Sequence, residues 1–288
     1  MKRLSIMIVA AGLLASGCAS KGAGSLGPAP TGRPTESTPT ATTPSPTVSS
    51  TESPTPTPSG KTVTFEVWFN FGDRLFVTER TVPFTVAVGQ ASLDALIAGP
   101  TAEEAKAAVS TSIPDGIRPD ITALANGIAT VDWNVSGIDF NADAGRRIQA
   151  QIVYTLTQYS TIQTVRFTED GVSVSDKAFA RKDFEDLLPA ILVDSPIVGE
   201  QVSNPVTISG TANVFEAQVS VRILDENGNE IARTFTLATC GTGCRGDYSV
   251  SVSYSVDHEQ AGTIEVLDYS AKDGSPENVM SIPVILTP

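Results

Sequence analysis

Residues 19–60 read ASKGAGSLGPAPTGRPTESTPTATTPSPTVSSTESPTPTPSG: nine prolines, ten threonines and no aromatic residue. Such a segment cannot bury enough apolar surface to offset the entropy of ordering it. Its prolines also lack the backbone donors that helices and sheets require. It reads as a disordered stalk, so any fold must come from the residues after it. In a polyproline form, at about 3.1 Å per residue, it would reach on the order of 130 Å; as a flexible coil it would average about 40 Å. The 228 residues that follow suffice for one large domain or two ordinary ones.

The chain opens MKRLSIMIVAAGLLASGCAS. Lys2 and Arg3 precede an apolar run from Leu4 to Ala15. That run is too short to span a bilayer, which takes about 20 residues, and it has the form of an export-signal core. Small residues Ala15, Ser16 and Gly17 then lead to Cys18. This arrangement resembles the lipobox of bacterial lipoproteins, with Ala15 where leucine is usual. The resemblance implies that residues 1–18 are a lipoprotein signal peptide and lipobox. It further implies that Cys18 carries a diacylglycerol with palmitate-type chains, holding the protein on the outer face of the cytoplasmic membrane. Two acyl chains anchor stably where one is marginal. Threonines beside prolines in the stalk are candidates for O-linked sugars.

Charge separates the stalk from the remainder. Four of the 19 basic and two of the 32 acidic residues lie before residue 61, so residues 61–288 carry 15 and 30, a net of −15. A field of that sign disfavours nucleic acid and other polyanions unless a cation bridges them, and favours basic partners. No nucleic-acid partner is expected.

Residues 61–185 mix strand and helix patterns. TVTFEVWFN alternates, with Val63, Phe65, Val67 and Phe69 on one face, and LFVTERTV follows after Gly72-Asp73. SLDALIAGP predicts a helix capped by Ser92 and stopped at Gly99-Pro100. TAEEAKAA carries a capping box, Thr101 with Glu104. ITALANGIATVDWN predicts a hairpin at Asn126-Gly127. The longest helix is expected over 143–159, with Ile148, Ile152, Leu156 and Tyr159 on one face. TVRFTEDGVSV supplies a final pair turning at Asp170-Gly171. The order β-β-α-α-β-β-α-β-β predicts an α+β layer of helices on a mainly antiparallel sheet. Residues 190–288 show strand patterns alone, about every ten residues: PVTISGTA, AQVSVRILD, EIARTFTLA, DYSVSVSY, TIEVLDYSA and NVMSIPVIL. That rhythm predicts an all-β sandwich.

The run from Phe65 through LDALIAGP, SIPDGI, NGIATVDW, IVYTLTQY and VRFTEDG resembles the GerMN domain. That domain occurs in lipoproteins linked to sporulation and spore germination and in other envelope proteins of Gram-positive bacteria. The resemblance implies a non-catalytic assembly domain with no site residues to carry over. The stretch SPIVGEQVSNPVTISGTANVFEAQVSVRILDENGNEI, with GDYSVSVSY, resembles the immunoglobulin-like domain of bacterial spore germination, which often follows GerMN. Together they imply a lipid-anchored envelope protein, linked to sporulation, germination or envelope homeostasis, without implying that the organism sporulates. Its partner would be another envelope protein, or the chain itself in an assembly. The competing reading is a module that binds glycans or peptidoglycan fragments.

Sharper chemistry finds little support in the residues. His258 is the only histidine, and neither a G-x-S-x-G elbow nor an H-E-x-x-H helix is present; no enzyme activity and no cofactor are expected. Asp225-Glu-Asn-Gly-Asn-Glu230 departs from a calcium loop, which needs glycine sixth and glutamate twelfth; Gly228 is fourth and Thr236 twelfth. It reads as a hairpin turn. Trp68 and Trp133 sit in apolar strand patterns and read as core. Arg245-Gly246-Asp247 reads as a loop entering a strand. Zinc asks for about four ligands, which two cysteines and a distant histidine do not supply. With Cys18 assigned to lipid, Cys240 and Cys244 are left as a pair and are expected to form a disulfide outside the membrane. Closing so short a loop stabilises by only about 2 kcal/mol. The clip therefore shapes its loop, which is expected at the edge of the sandwich as a rigid contact surface.

Overall fold

The computed structural model describes residues 60–133, 139 and 142–288. The expected export signal, Cys18 and the expected stalk through Ser59 lie outside them. β1 (Thr62–Phe71) and β2 (Arg74–Pro83) form an antiparallel hairpin. α1 (Val88–Ala98) and α2 (Ala102–Lys106) follow, and β3 (Val109–Ser110) pairs with the far edge of β1 at Asn70 and Phe71. β4 (Asp120–Ala125) and β5 (Ile128–Trp133) form the expected hairpin. Asn126 (φ 53°) and Gly127 (φ 77°) both adopt the left-handed conformation that its two-residue turn demands. α3 (Asp143–Leu156) then crosses over so that β6 (Thr164–Glu169) runs parallel to β5, and β7 (Val172–Ser173) closes the sheet.

Two features of this part differ from the sequence reading. The strands form two sheets, β2-β1-β3 and β4-β5-β6-β7, with one parallel pair made through α3. Also, α1 begins four residues before Ser92, at Val88. Ser92 is buried within the helix, its hydroxyl donating to the Gly89 carbonyl at 2.8 Å. Contacts of the turn Val88–Ala91, where the Tyr159 hydroxyl donates to the Val88 carbonyl and Gln90 Oε1 accepts from the Ile121 amide, outweigh the cap preference of serine. The Thr101–Glu104 capping box is present in full. Its glutamate does more: it is buried and also accepts from Thr78 and Arg80.

The second half of β1 is buried on both faces. Phe65, Val67 and Phe69 enter the core, and so do Trp68 and Asn70. Among the described residues, β3 covers only Asn70 and Phe71 on the far edge of β1, and the rest of that edge has no strand. Side chains of α3 and of the turn after it occupy that edge. Thr155 Oγ1 accepts from the Trp68 amide at 3.1 Å, and Gln151 Nε2 donates to the Trp68 carbonyl at 3.1 Å. Gln158 treats Glu66 in the same way.

From residue 191 on the fold is a sandwich. β8 (Ile191–Ser195), β9 (Gln201–Val202), β10 (Val206–Ala212), β11 (Gln218–Leu224), β12 (Glu230–Leu237), β13 (Gly246–Val252), β14 (Gln260–Tyr269) and β15 (Pro276–Leu286) form it. Their order is β13-β10-β8 in one sheet and β12-β11-β14-β15-β9 in the other. All pairs are antiparallel except β9 with β15. Val219, Val221 and Ile223 face inward as their alternation predicts. The six expected strands all form; β8 and the short β9 are additional.

Candidate functional site

Residues 181–190 join the α/β part to the sandwich, and they are held from both sides. Residues 181–187 form a 3-10 turn. Phe184 is buried in the first part, beside Phe179 at 5.7 Å between ring centroids and under the Arg146 guanidinium at 5.5 Å. Arg146, on α3, meets the Asp186 carboxylate with two hydrogen bonds of 2.8 Å and donates to the Asp183 carbonyl at 3.0 Å. Arg74, at the start of β2, donates to the Asp186 carbonyl. From the sandwich side, Arg245 donates to the Pro189 carbonyl and to Thr211 Oγ1, the latter at 3.1 Å. Arg181 reaches back to the Tyr154 carbonyl at 2.9 Å and to Thr157 Oγ1 at 3.0 Å. Hydrogen bonds from Arg146 hold the Asp186 carboxyl below its ordinary pKa.

Beside this junction lies a cleft of about 530 Å³. Its α/β wall is aromatic and cationic. The Trp68 and Tyr154 rings pack at 4.6 Å, tilted by 46°, and the Arg181 guanidinium lies 5.3 and 4.9 Å from their ring centres. Glu66 accepts from Trp68 Nε1 at 3.0 Å and faces Arg181 at 3.6 Å. Tyr154 donates its hydroxyl to the Arg181 carbonyl at 3.2 Å, and burial pushes its pKa up to about 12. The opposite wall comes from the sandwich: Leu192, Asp194, Thr211, Asn213 and Arg245. The Asp194 carboxylate touches solvent, yet the protein around it and the charges of Glu66 and Asp247 raise its pKa to about 6. Among the described residues it has no ion-pair partner within 4.0 Å.

The cysteine loop frames one end of this cleft. Cys240 and Cys244 are joined in a disulfide, with Cα atoms 5.7 Å apart. Their loop connects β12 to β13, strands of different sheets, and so crosses the end of the sandwich. It is tied to the segment before β11: Thr242 N donates to the Val214 carbonyl at 2.9 Å and Gly243 N to Asn213 Oδ1 at 3.0 Å. Three non-glycine residues here, Glu216, Ala217 and Thr242, have left-handed φ of 54°, 59° and 50°. Strain of this kind, about 1–3 kcal/mol each, persists only where surrounding contacts enforce it. The Arg-Gly-Asp tripeptide belongs to the same framework. Arg245 grips the junction, and Gly246 pairs with Ala212. A Cβ on Gly246 would lie 2.0 Å from the Cys240 backbone nitrogen.

The other residues singled out by sequence lie apart from the cleft or are buried in it. Trp133 is fully buried and Trp68 is 3% exposed, which leaves neither as an open stacking platform. His258 is exposed, 2.5 Å from Asp257 and 3.9 Å from Glu226. Asp225 spends its carboxylate on the amides of Asn227 and Asn229 at 2.9 and 2.8 Å, the tight turn that was expected. Cys18 lies outside the described residues. The convergence of Arg74, Arg146 and Arg245 had no sequence signal, because they come from three distant segments and share no spacing. As a chemical environment the cleft offers aromatic edges, two guanidinium groups committed to protein oxygens, and open carboxylates on its rim. Chemically, those carboxylates can accept hydrogen bonds.

Comparison with known proteins follows the same division. Over 134 residues the chain is 27% identical to the lipoprotein LpqB of Cutibacterium acnes, a match that covers 44% of this chain and 22% of that protein. The first GerMN domain of the sporulation protein GerM from Bacillus subtilis is 21% identical, covering 42% of this chain and 99% of that one, with a TM-score of 0.32. The tandem GerMN domains of GerM are 15% identical, covering 79% of this chain and 61% of that one, with a TM-score of 0.35. Residues 68–175 match the family described as sporulation and spore germination, and residues 190–275 the immunoglobulin-like domain of bacterial spore germination, so the chain joins a domain of each kind.

Proposed function

We propose that this protein is a lipid-anchored, non-catalytic binding module of the bacterial cell envelope. A diacylglycerol on Cys18 would hold it on the outer face of the cytoplasmic membrane, and the stalk would carry the two domains outward. Their work would be to engage another envelope protein in a process of the sporulation, germination or envelope-maintenance kind. One observation carries this reading: the segment between the domains is gripped by arginines from both. A freely jointed pair would present two separate surfaces. A clamped pair presents one composite surface of fixed shape, with the cleft and the disulfide loop side by side. The excess of acidic residues and the open rim carboxylates suit a partner with basic groups. The lipoprotein relative supports the anchoring part of the reading.

Two measurements test it. Cys18→Ser should release the protein from the membrane fraction; a membrane-bound variant without acyl mass would sink the anchor. The full-length protein, captured from detergent-solubilised envelopes, should enrich one protein partner, and Arg245→Ala should weaken that enrichment. Retention on purified wall polymer in place of a protein would establish the glycan reading instead.

A further inference from the structure

Three charge-free runs meet on one face of the α/β part. Of residues 61–288, 45 are charged, yet Thr81–Leu93, Ile121–Val131 and Ile148–Val165, 42 residues together, contain none. The structure brings these runs together around a groove of about 380 Å³, lined by Val88, Gly89, Ile121, Leu124, Tyr159 and Ile162 among others. β4, the edge strand of its sheet, borders the groove and carries Leu124 at 51% exposure. Beside it the segment from β2 into α1 stands out from the surface, with Phe84 60% and Val86 92% exposed. Edge strands are ordinarily guarded by charge. Here the only charge on the edge strand is Asp120 at its first residue; Ile121–Ala125 is neutral, and the most exposed large apolar side chain of the described residues, Val86, lies next to an apolar groove.

We propose that this face joins two copies of the chain. A projecting apolar knob and an apolar groove on one face are self-complementary, so a two-fold axis seats each copy's Phe84–Val86 segment in the other's groove. The charge balance selects the same partner. Two molecules of net −15 in this region repel wherever their acidic surfaces meet. The part of these runs that lines the groove carries no charged residue, so the two copies approach through it without setting like charges in contact. A basic partner would be drawn to the acidic remainder of the surface and would have no electrostatic reason to prefer this face. The proposal is independent of the lipid anchor and of the cleft.

Sedimentation equilibrium of the purified full-length chain in density-matched detergent tests it. The expected protein mass is that of a dimer. Val86→Asp and Leu124→Asp should each weaken the dimer by about tenfold or more, as substitutions at an interface centre do. Val172→Asp, at another exposed apolar residue, should leave it intact. Raising salt from about 0.05 to 0.5 M should tighten the dimer by screening like charge. A chain that remains monomeric at about 100 μM overturns the proposal, as does a dimer unchanged by both aspartates or weakened by salt. Circular dichroism melts of the two variants, at side chains largely in solvent, control for folding.

Discussion

Gln158 binds the backbone of Glu66 at both ends. Its Oε1 accepts from the Glu66 amide and its Nε2 donates to the Glu66 carbonyl, each at 2.8 Å. A neighbouring strand would make the same two bonds. With Thr155 and Gln151 doing similar work at Trp68, a helix and the turn after it finish the edge of a sheet. Exposed sheet edges invite pairing with other chains, and here the edge is closed without another strand.

This capping predicts a graded response to mutation. Gln158→Ala should cost about 1 kcal/mol, because the freed Glu66 groups are only partly buried and water can replace the amide. Gln151→Leu should cost about 2–3 kcal/mol. Gln151 is fully buried, and its loss leaves the Trp68 carbonyl and the Ser112 amide without that partner. Urea midpoints at constant slope measure both.

Glu104 predicts an acid-sensitive fold. Burial alone would raise its pKa. Hydrogen bonds from Arg80, the Thr101 amide and Thr78 outweigh burial and hold the carboxyl below its ordinary value. Its folded pKa is thus depressed, so its stabilisation is complete above the unfolded value near 4.5 and is lost as pH falls through the folded pKa. Glu104→Ala should cost about 3–5 kcal/mol at neutral pH by leaving the largely buried Arg80 unpaired. Thermal melts from pH 7 to 3 should show a smaller acid-induced loss in Glu104→Gln than in the parent.

Asp194 has the opposite sign. Its folded pKa is raised to about 6 from 3.8. Between those values the folded chain holds a proton that the unfolded chain has released, so this group's contribution to stability falls as pH rises from about 4 to about 6. Asp194→Asn should flatten that part of the profile and leave the region below pH 4 unchanged. Melting temperatures taken across the window check it.

The disulfide loop predicts an inversion of the usual ranking. Replacing both Cys240 and Cys244 by serine should cost only about 2 kcal/mol, because the ring they close is short. Gly246→Ala should cost more, above about 3 kcal/mol. Its new Cβ meets the backbone of Cys240, and Gly246 cannot move away without loosening its pairing with Ala212. Calorimetry on the two variants decides the order, and thiol titration of the denatured, unreduced parent should find Cys240 and Cys244 unreactive.

Much of the fold was legible because its signals are local. Thr101 and Glu104 are three residues apart, and Asn126-Gly127 is a dipeptide; each closes its own turn wherever the chain goes. The alternation of Val219, Val221 and Ile223 states its face directly. Ser92 misled because cap preference is a weak local term against the contacts of Val88–Ala91. Gln151, Thr155 and Gln158 look like an ordinary polar helix face, and nothing local distinguishes a solvated glutamine from one that finishes a sheet. The cleft was invisible for the same reason: Glu66, Tyr154, Asp194 and Arg245 share no spacing.

By itself, the sequence determined the α/β mixture followed by strands alone, the hairpins, and the pairing of the two downstream cysteines. These follow from periodicity, turn chemistry and composition, which act over a few residues. Only the tertiary structure decided that the strands of the first part divide into two sheets, that α3 closes an edge of one of them, and that Arg74, Arg146 and Arg245 clamp the junction. Those outcomes depend on which buried backbone groups remain unpaired after the strands form, and on which distant side chains can reach them.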